Sequence, residues 1–181
     1  EMAKLKNVNT TDIREAIALG CRTMSNVFNA DDNDIPFFGS TVLPEARLSF
    51  SSGASESHVP GRHLNALLSA EDAVGLEIDE RAIEKHKRAA FFSFRGPVPL
   101  PLNRQTLDGP LVNFHVHNVR EGIHALYALV AYRHSEEARE LAERSIDAIL
   151  EFWDDEAGWD TGTLEARYGL KVFDQMFVPG I

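Results

Sequence analysis

The stretch NFHVHNVREGIHALYALVAY, residues 113–132, decides the fold because a polar cluster at its start runs directly into an apolar helical pattern. Its apolar residues recur at steps of three and four, which is the period of a helix with one wide buried face. These residues are Val119, Ile123, Leu126 and Val130. We therefore predict a helix that is anchored along its length and chemically active at its amino-terminal end.

Three ionisable side chains share one stripe of this predicted helix. Glu121 follows His117 by four residues and His124 follows it by seven, and Arg120 lies beside the stripe. The start of a helix also presents unpaired N–H groups and the positive end of the helix dipole, which favour an anionic ligand. The stripe thus predicts a pocket for an anion such as a carboxylate or a sulfate.

A purely structural interpretation competes with this pocket. Asn118 would be the N-cap of the helix, Glu121 would reach back to it as a capping box, and the histidines would be core side chains. We favour the pocket because a cap requires neither His115 and His117 nor Arg120.

Composition limits the number of domains and the classes of partner. The chain has 181 residues, 44% of them hydrophobic, which suits one substantial core. The formal net charge of −10 disfavours nucleic acid and anionic membranes as partners, because both would repel the chain. We see neither a membrane-spanning apolar run nor a secretion signal, and localisation stays open. Cys21 is the single cysteine, and we expect it to be buried and unpaired.

Six helical patterns are separated by loops of two kinds, and we find no clear strand. The predicted helices cover residues 12–29, 60–74, 79–92, 117–132, 135–153 and 164–176. Thr10 or Thr11, Asp79 and Ser135 are the predicted caps of the first, third and fifth helices. Residues 30–60 show no periodicity and predict one long loop, a kind of segment that is usually functional or disordered.

Two cationic side chains lie in the first turn of the second helix. Arg62 and His63 oppose the helix dipole there unless a negative group is near. They predict either a nearby negative group, which is a bound anion or a carboxylate partner, or, equally, stacking on the preceding loop and pairing with its Glu56.

The helices that follow long polar loops alternate with charged helices that follow short turns. This alternation predicts an all-α fold of helical hairpins, arranged as a toroid whose polar motifs gather at one set of helix ends. We expect residues 1–181 to form a single all-α domain.

Four motifs resemble the six-hairpin glycosidase superfamily, and glycoside hydrolase family 154 within it. They are ESHVPGRHLNALL at 56–68, PLNR at 101–104, HNVREGIHALYAL at 117–129 and GWD at 158–160. The resemblance, over roughly residues 10–181, implies an (α/α)6 toroid and a β-glucuronidase-like activity on uronic-acid carbohydrate. A complete toroid has twice the helices predicted here, so we expect the amino-terminal part of a larger toroid.

A glycoside hydrolase needs two carboxyl groups across the scissile bond, one protonated and one ionised. Glu121 is our first catalytic candidate and Asp160 the second. The expected substrate-binding residues are Arg62, His63, Asn103, Arg104, His117, Asn118, Arg120 and Trp159, with Trp159 as an aromatic platform. We expect a carbohydrate as the partner, and no cofactor or metal.

Three other interpretations stay open. A polysaccharide lyase would use histidine and arginine on a uronate polymer. A metal site would take His115, His117, Glu121 and His124, although their order is not that of HExxH. A non-catalytic helical scaffold would show no pocket. Self-association into a homo-oligomer is also left open.

Overall fold

The computed structural model describes residues 12–173, which are mostly helical with several small sheets. The helices are α1 Ile13–Met24, α2 His58–Val74, α3 Glu80–Ser93, α4 Asn118–Arg133, α5 Glu136–Phe152 and α6 Thr161–Tyr168, with a short 3-10 helix over Ala30–Asp32. Within this range, none of the helices has the length and apolar character required to cross a membrane.

The helix ends follow the capping residues of the sequence. Asp79 and Ser135 are confirmed as caps: their side chains accept hydrogen bonds from the backbone N–H groups of Arg81 at 3.0 Å and Ala138 at 3.2 Å. The N-cap of α1 is Asp12; Thr10 and Thr11, the predicted caps, lie outside the described residues.

Helix α1 is shorter than predicted, because a side chain forms a hydrogen bond with a backbone carbonyl at its carboxyl end. It ends at Met24, where Ser25 donates a 2.8 Å hydrogen bond to the carbonyl of Cys21, and Phe28 pairs with Pro36 in a small sheet. The prediction for Cys21 is confirmed, since it is buried and is the only cysteine of the chain.

Helices α2 and α4 lie side by side and run in the same direction. His58 contacts Asn118 where the two helices begin, and Ser69 contacts Tyr132 at 3.3 Å towards their other ends. Helix α3 runs the opposite way, because Arg133 at the end of α4 pairs with Glu80 at the start of α3. The starts of α2 and α4 therefore meet at one end of the helical body.

Two apolar clusters form the core. The first joins the five long helices and contains fully buried Leu64, Leu67 and Leu126. The second lies next to the start of α4, where the proline-rich connection between α3 and α4 meets α5 and α6. It includes Phe114 and Leu164. Each such side chain stabilises the fold by roughly 1.5–3 kcal/mol relative to exposure. The second cluster packs against Val119 in the first turn of α4 and so holds the start of that helix in place.

The prediction of no strands is wrong. The strands are β1 Phe28–Asn29, β2 Ile35–Pro36, β3 Gly39–Thr41, β4 Arg47–Ser49, β5 Asn103–Arg104, β6 Leu111–His115, β7 Trp153–Asp154, β8 Gly158–Trp159 and β9 Lys171–Phe173. They form three two-stranded hairpins and one three-stranded sheet in the order β5-β6-β9, with β6 and β9 parallel. Strands this short give no readable alternation in the sequence. The predicted loop 30–60 accordingly contains the whole β3-β4 hairpin and the second strand, β2, of the β1-β2 hairpin.

The sixth predicted helix is also wrong in its second half. Helix α6 ends at Tyr168, where Gly169 takes a left-handed conformation at φ 67°, and the chain then enters β9. Residues 174–176 of that prediction lie outside the described range. Strand β9 pairs with β6, which leads directly into α4, so this sheet places the start of the helix.

Candidate anion-binding site

The site lies where the first turns of α2 and α4 touch. Gly61 on α2 faces the backbone of Glu121, and a β-carbon at position 61 would overlap the Glu121 carbonyl. On the other side, a β-carbon at Gly122 would lie 2.7 Å from Pro101. Only glycine permits both close approaches. This contact brings side chains from two distant parts of the chain together.

Glu121 is the centre of the cluster. Its side chain is 1% exposed and accepts a 3.1 Å hydrogen bond from Nε of Arg62. Arg120 donates from Nε at 2.8 Å and from Nη2 at 2.6 Å. The capping-box interpretation fails: Asn118 is the first residue of α4, the N-cap is His117, and no side-chain cap bond forms.

Glu121 is ionised at neutral pH. Burial alone would raise the pKa of this carboxyl, but the hydrogen bonds from Arg120 and Arg62 and the charge of Arg120 outweigh it and lower the pKa to about 2. The two arginine side chains are 62% and 58% exposed, so their outer N–H groups face solvent. The cluster is thus a buried anion holding two cations at the surface.

Asn118 and His58 complete the cluster on its inner side. Asn118 is buried, donates from Nδ2 to the carbonyl of Gly53 at 2.8 Å, and contacts Nδ1 of His58 at 3.2 Å. His58 lies 3.7 Å from Glu121. Sequence reasoning missed His58 as a site residue, although its position four residues before Arg62 on α2 places both on one helix face.

Three histidine rings form a row beside Glu121. The ring centroids of His58 and His117 are 5.6 Å apart, and those of His117 and His115 are 5.7 Å apart. His115 also stacks on Phe173 at 4.2 Å. Burial lowers the pKa of all three imidazoles, so they are neutral at pH 7.

The proposed metal set does not assemble. His124 is exposed one turn beyond buried Glu121 on α4. Among residues 12–173, no group of three or more histidine, cysteine, aspartate or glutamate side chains is placed to hold a metal ion.

His63 does not join the cluster. Its ring packs edge-on against His86 at 4.9 Å, and no hydrogen bond or ion pair of the described chain joins it to Glu121. Burial lowers the pKa of His63 to about 4. The adjacent residues Arg62 and His63 therefore contact different parts of the molecule, as consecutive positions of a helix do.

Asn103 and Arg104 stabilise the loop that leads into α2, and so position the start of that helix. The side-chain amide oxygen of Asn103, Oδ1, accepts hydrogen bonds from the backbone N–H groups of Glu56 and Ser57, both at 3.2 Å, just before α2. Arg104 is 7% exposed and pairs with Glu56 at 2.5 Å and Asp32 at 2.6 Å. The expected pairing of Glu56 with the first turn of α2 is therefore wrong, and Arg104 is its partner.

Burial outweighs this arginine in setting the protonation of Glu56. Desolvation raises the pKa of its carboxyl to about 7, although Arg104 acts in the opposite direction. One carboxyl oxygen of Glu56 is buried without a hydrogen-bond partner among the described residues. The carboxyl group is fully buried in the loop before α2, where Arg104 pairs with it.

Asp160 and Trp159 lie on a different part of the molecule. Asp160 caps α6 by accepting from the Thr163 N–H at 2.9 Å, and this bonding lowers its pKa. Trp159 packs against Phe114 at 5.0 Å and Trp153 at 5.6 Å. No hydrogen bond or ion pair of the described chain connects Asp160 with the Glu121 cluster.

Comparison with known proteins gives no family for this chain: no family model, curated protein or solved structure matches it. The chemistry of the cluster itself must therefore support any functional conclusion.

Proposed function

We propose that the chain is part of a glycoside hydrolase that acts on uronic-acid-containing carbohydrate, with its site at the shared start of α2 and α4. The observation that supports this most directly is the pair of half-exposed arginines held on one buried, ionised carboxylate. A guanidinium fixed in this way loses little further freedom when it binds a second carboxylate, such as that of a uronate.

Arg62 is the better placed of the two arginines for this contact. It uses only Nε on Glu121, and no acceptor among the described residues contacts its Nη1 or Nη2. Those two groups match the two oxygens of a carboxylate. Arg120 uses both Nε and Nη2 on Glu121, so it retains less of its donor set for a ligand. The two adjoining helix starts add partial positive charge to the same place.

Within this hydrolase, Glu121 takes the ionised role of base or nucleophile. A carboxyl with a pKa of about 2 holds no proton to donate at neutral pH, so it is not the general acid. Asp160 is exposed, ionised and committed to capping α6, so it does not fill that role either. The general acid of the proposed reaction is therefore a group other than these two.

We further propose that α2 and α4 are inner helices of an (α/α)6 toroid, of which this chain is the amino-terminal part. Their parallel course, with α3 running oppositely, supports that arrangement. In such a toroid the starts of the inner helices surround one cavity, which suits a carbohydrate site.

A polysaccharide lyase is the second candidate, and the histidine row favours it. A β-elimination from a uronate requires a neutral base next to a cation that neutralises the carboxylate. His58 and His117 are neutral at pH 7 and lie beside Arg62, so they meet this requirement. The products separate the two reactions, because a lyase forms an unsaturated sugar and a hydrolase does not.

The test uses the complete enzyme of which this chain is proposed to be part, with a uronate-bearing oligosaccharide and with the matched neutral oligosaccharide. We expect new reducing ends from the first substrate only, without near-ultraviolet absorbance. Reducing ends accompanied by that absorbance would assign the lyase. If calorimetry detects no preference for glucuronate over glucose and neither product forms, the proposal is overturned in favour of a non-catalytic scaffold.

A further inference from the structure

A β-hairpin arm projects from the helical body beside the candidate site. We define the arm as residues 37–49; its strands β3 and β4 pair with each other, from Gly39 with Ser49 to Thr41 with Arg47. Among residues 12–173 no third strand joins this sheet, and every residue from 40 to 49 is exposed. Both edges of the arm therefore present unpaired backbone groups.

The exposed tip of the arm is apolar. Val42 is 80% exposed and Leu43 is 84% exposed, the two highest values among the large hydrophobic side chains of the described chain. Phe38 and Leu48 are more than half exposed as well. A two-stranded hairpin without a buried face is marginally stable in water, so these side chains indicate a surface that is covered in the working protein.

We propose that the arm binds the arm of a second copy of this chain, forming a two-fold symmetric dimer. Charge is the argument for this occupant. The chain has a net charge of −10, so most contacts between two copies bring like charges together. The arm contains one acidic residue, Glu45, and one basic residue, Arg47, and is neutral.

A two-fold contact makes these charges complementary. In an isologous interface every contact between two different positions occurs twice. When one position of the first copy contacts another position of the second copy, the reverse contact follows by symmetry. Glu45 of each copy is then placed near Arg47 of the other, while Val42 and Leu43 form the apolar centre. The arm thus supplies both the apolar area and the charge pattern of a small self-complementary interface.

The dimer also bears on the candidate site. Phe38 at the base of the arm packs edge-on against the His58 ring, with 5.7 Å between centroids. A dimer that restrains the arm therefore also restrains Phe38, which packs against the first ring of the histidine row. The dimer itself does not depend on which reaction that site performs.

The first experiment is analytical ultracentrifugation of the full chain over a wide range of protein concentration. We expect a reversible dimer, and we expect Leu43→Asp to raise the dimer dissociation constant by about tenfold or more, since it removes an apolar contact and adds like charge. The matched control is Leu19→Asp on α1, which changes an exposed leucine away from the arm and should leave the constant unchanged. Circular dichroism confirms that both variants are folded.

A charge exchange then distinguishes arm-to-arm contact from binding of the arm to another surface. Glu45→Arg and Arg47→Glu should each weaken the dimer, and the double variant should restore it, because each exchanged charge again meets its opposite. A wild-type chain that is monomeric at all concentrations overturns the proposal. Equal weakening by Leu19→Asp, or a double variant that fails to restore the dimer, overturns it too.

Discussion

Gly61 on α2 and Glu121 on α4 touch through their backbones, with no room for a side chain at position 61. This contact sets the distance between the two helix starts, and with it the distance between Arg62 and the carboxylate that it binds. The geometry of the cluster is therefore built into the helix packing rather than into the loops around it.

Gly61→Ala tests this relationship. The added methyl group would overlap backbone, which cannot move aside as a flexible side chain can, so α2 must shift away from α4. We expect the free energy of unfolding to fall by roughly 1–3 kcal/mol or more, as overpacking does, and ligand binding at Arg62 to weaken. Chemical denaturation measures the first effect and calorimetry the second.

Gly20→Ala is the matched control for this substitution. Gly20 lies within α1, and a β-carbon there meets nothing within 4 Å. Because alanine favours a helix more than glycine does, we expect stabilisation by roughly 0.5–1 kcal/mol. If both variants changed stability in the same direction, close packing at Gly61 would not be the cause.

The long helices could be predicted because their signals are local. The period of α4, the caps Asp79 and Ser135 and the stop at Gly75 each depend on residues within a few positions of one another. Glu121 was identified for the same reason, since its spacing from His117 is a property of one helix.

The partners of these residues could not be predicted, because they come from distant positions. Arg104 meets Glu56 across 48 positions of the chain, and Arg62 meets Glu121 across 59. The helical period points the neighbours Arg62 and His63 in directions about 100° apart, but it does not say that Arg62 faces Glu121 and His63 faces His86. The side of α2 that each residue occupies is decided by tertiary packing.

Acidification should destabilise the fold through its buried histidines. Burial lowers the pKa of His86 to about 3 and that of His63 to about 4, whereas the unfolded chain takes up these protons near pH 6.5. The unfolded state therefore binds more protons below pH 6.5, and the free energy of unfolding should fall as pH is lowered towards 4. The slope is about 1.4 kcal/mol per pH unit for each such proton.

His86→Gln isolates this effect. Glutamine can still donate to the Met24 carbonyl, which His86 contacts at 2.9 Å, but it does not titrate. We expect a lower overall stability from lost ring packing, together with a flatter dependence on pH between 6.5 and 4. Glu56 acts in the opposite sense, because its pKa of about 7 stabilises the fold as pH falls from 7 to 4.5. The pH slope of His86→Gln is therefore compared with that of the wild type, which contains the same Glu56.

Glu121→Gln tests the ionised role of the carboxylate. The amide keeps the shape of the side chain but removes its charge, so it can act neither as base nor as nucleophile, and turnover of a uronate-bearing oligosaccharide should fall by ~10²–10⁴. The fold should survive, because both arginines are more than half exposed and can turn to solvent. Glu143→Gln on the exposed face of α5 is the control. Full activity in Glu121→Gln would show that this residue only positions the arginines.

Lysine substitutions of the two arginines separate binding from chemistry. Arg62 has both Nη groups available for a uronate, whereas Arg120 has committed Nε and Nη2 to Glu121. A lysine keeps the charge but not the paired donors, so Arg62→Lys should raise KM for the uronate substrate more than it lowers kcat. Arg120→Lys should raise KM less and lower kcat more, since it loosens Glu121.

Arg88→Lys supplies the control for these two variants, because Arg88 is an exposed arginine on α3 that pairs with Asp34 at 3.1 Å, away from the cluster. It should change neither constant. A neutral substrate provides the second comparison, as the loss in Arg62→Lys should be confined to substrates that bear a carboxylate. An equal loss on the neutral sugar would mean that Arg62 supports the site only through Glu121, and the assignment of the uronate contact to its Nη groups would then be wrong.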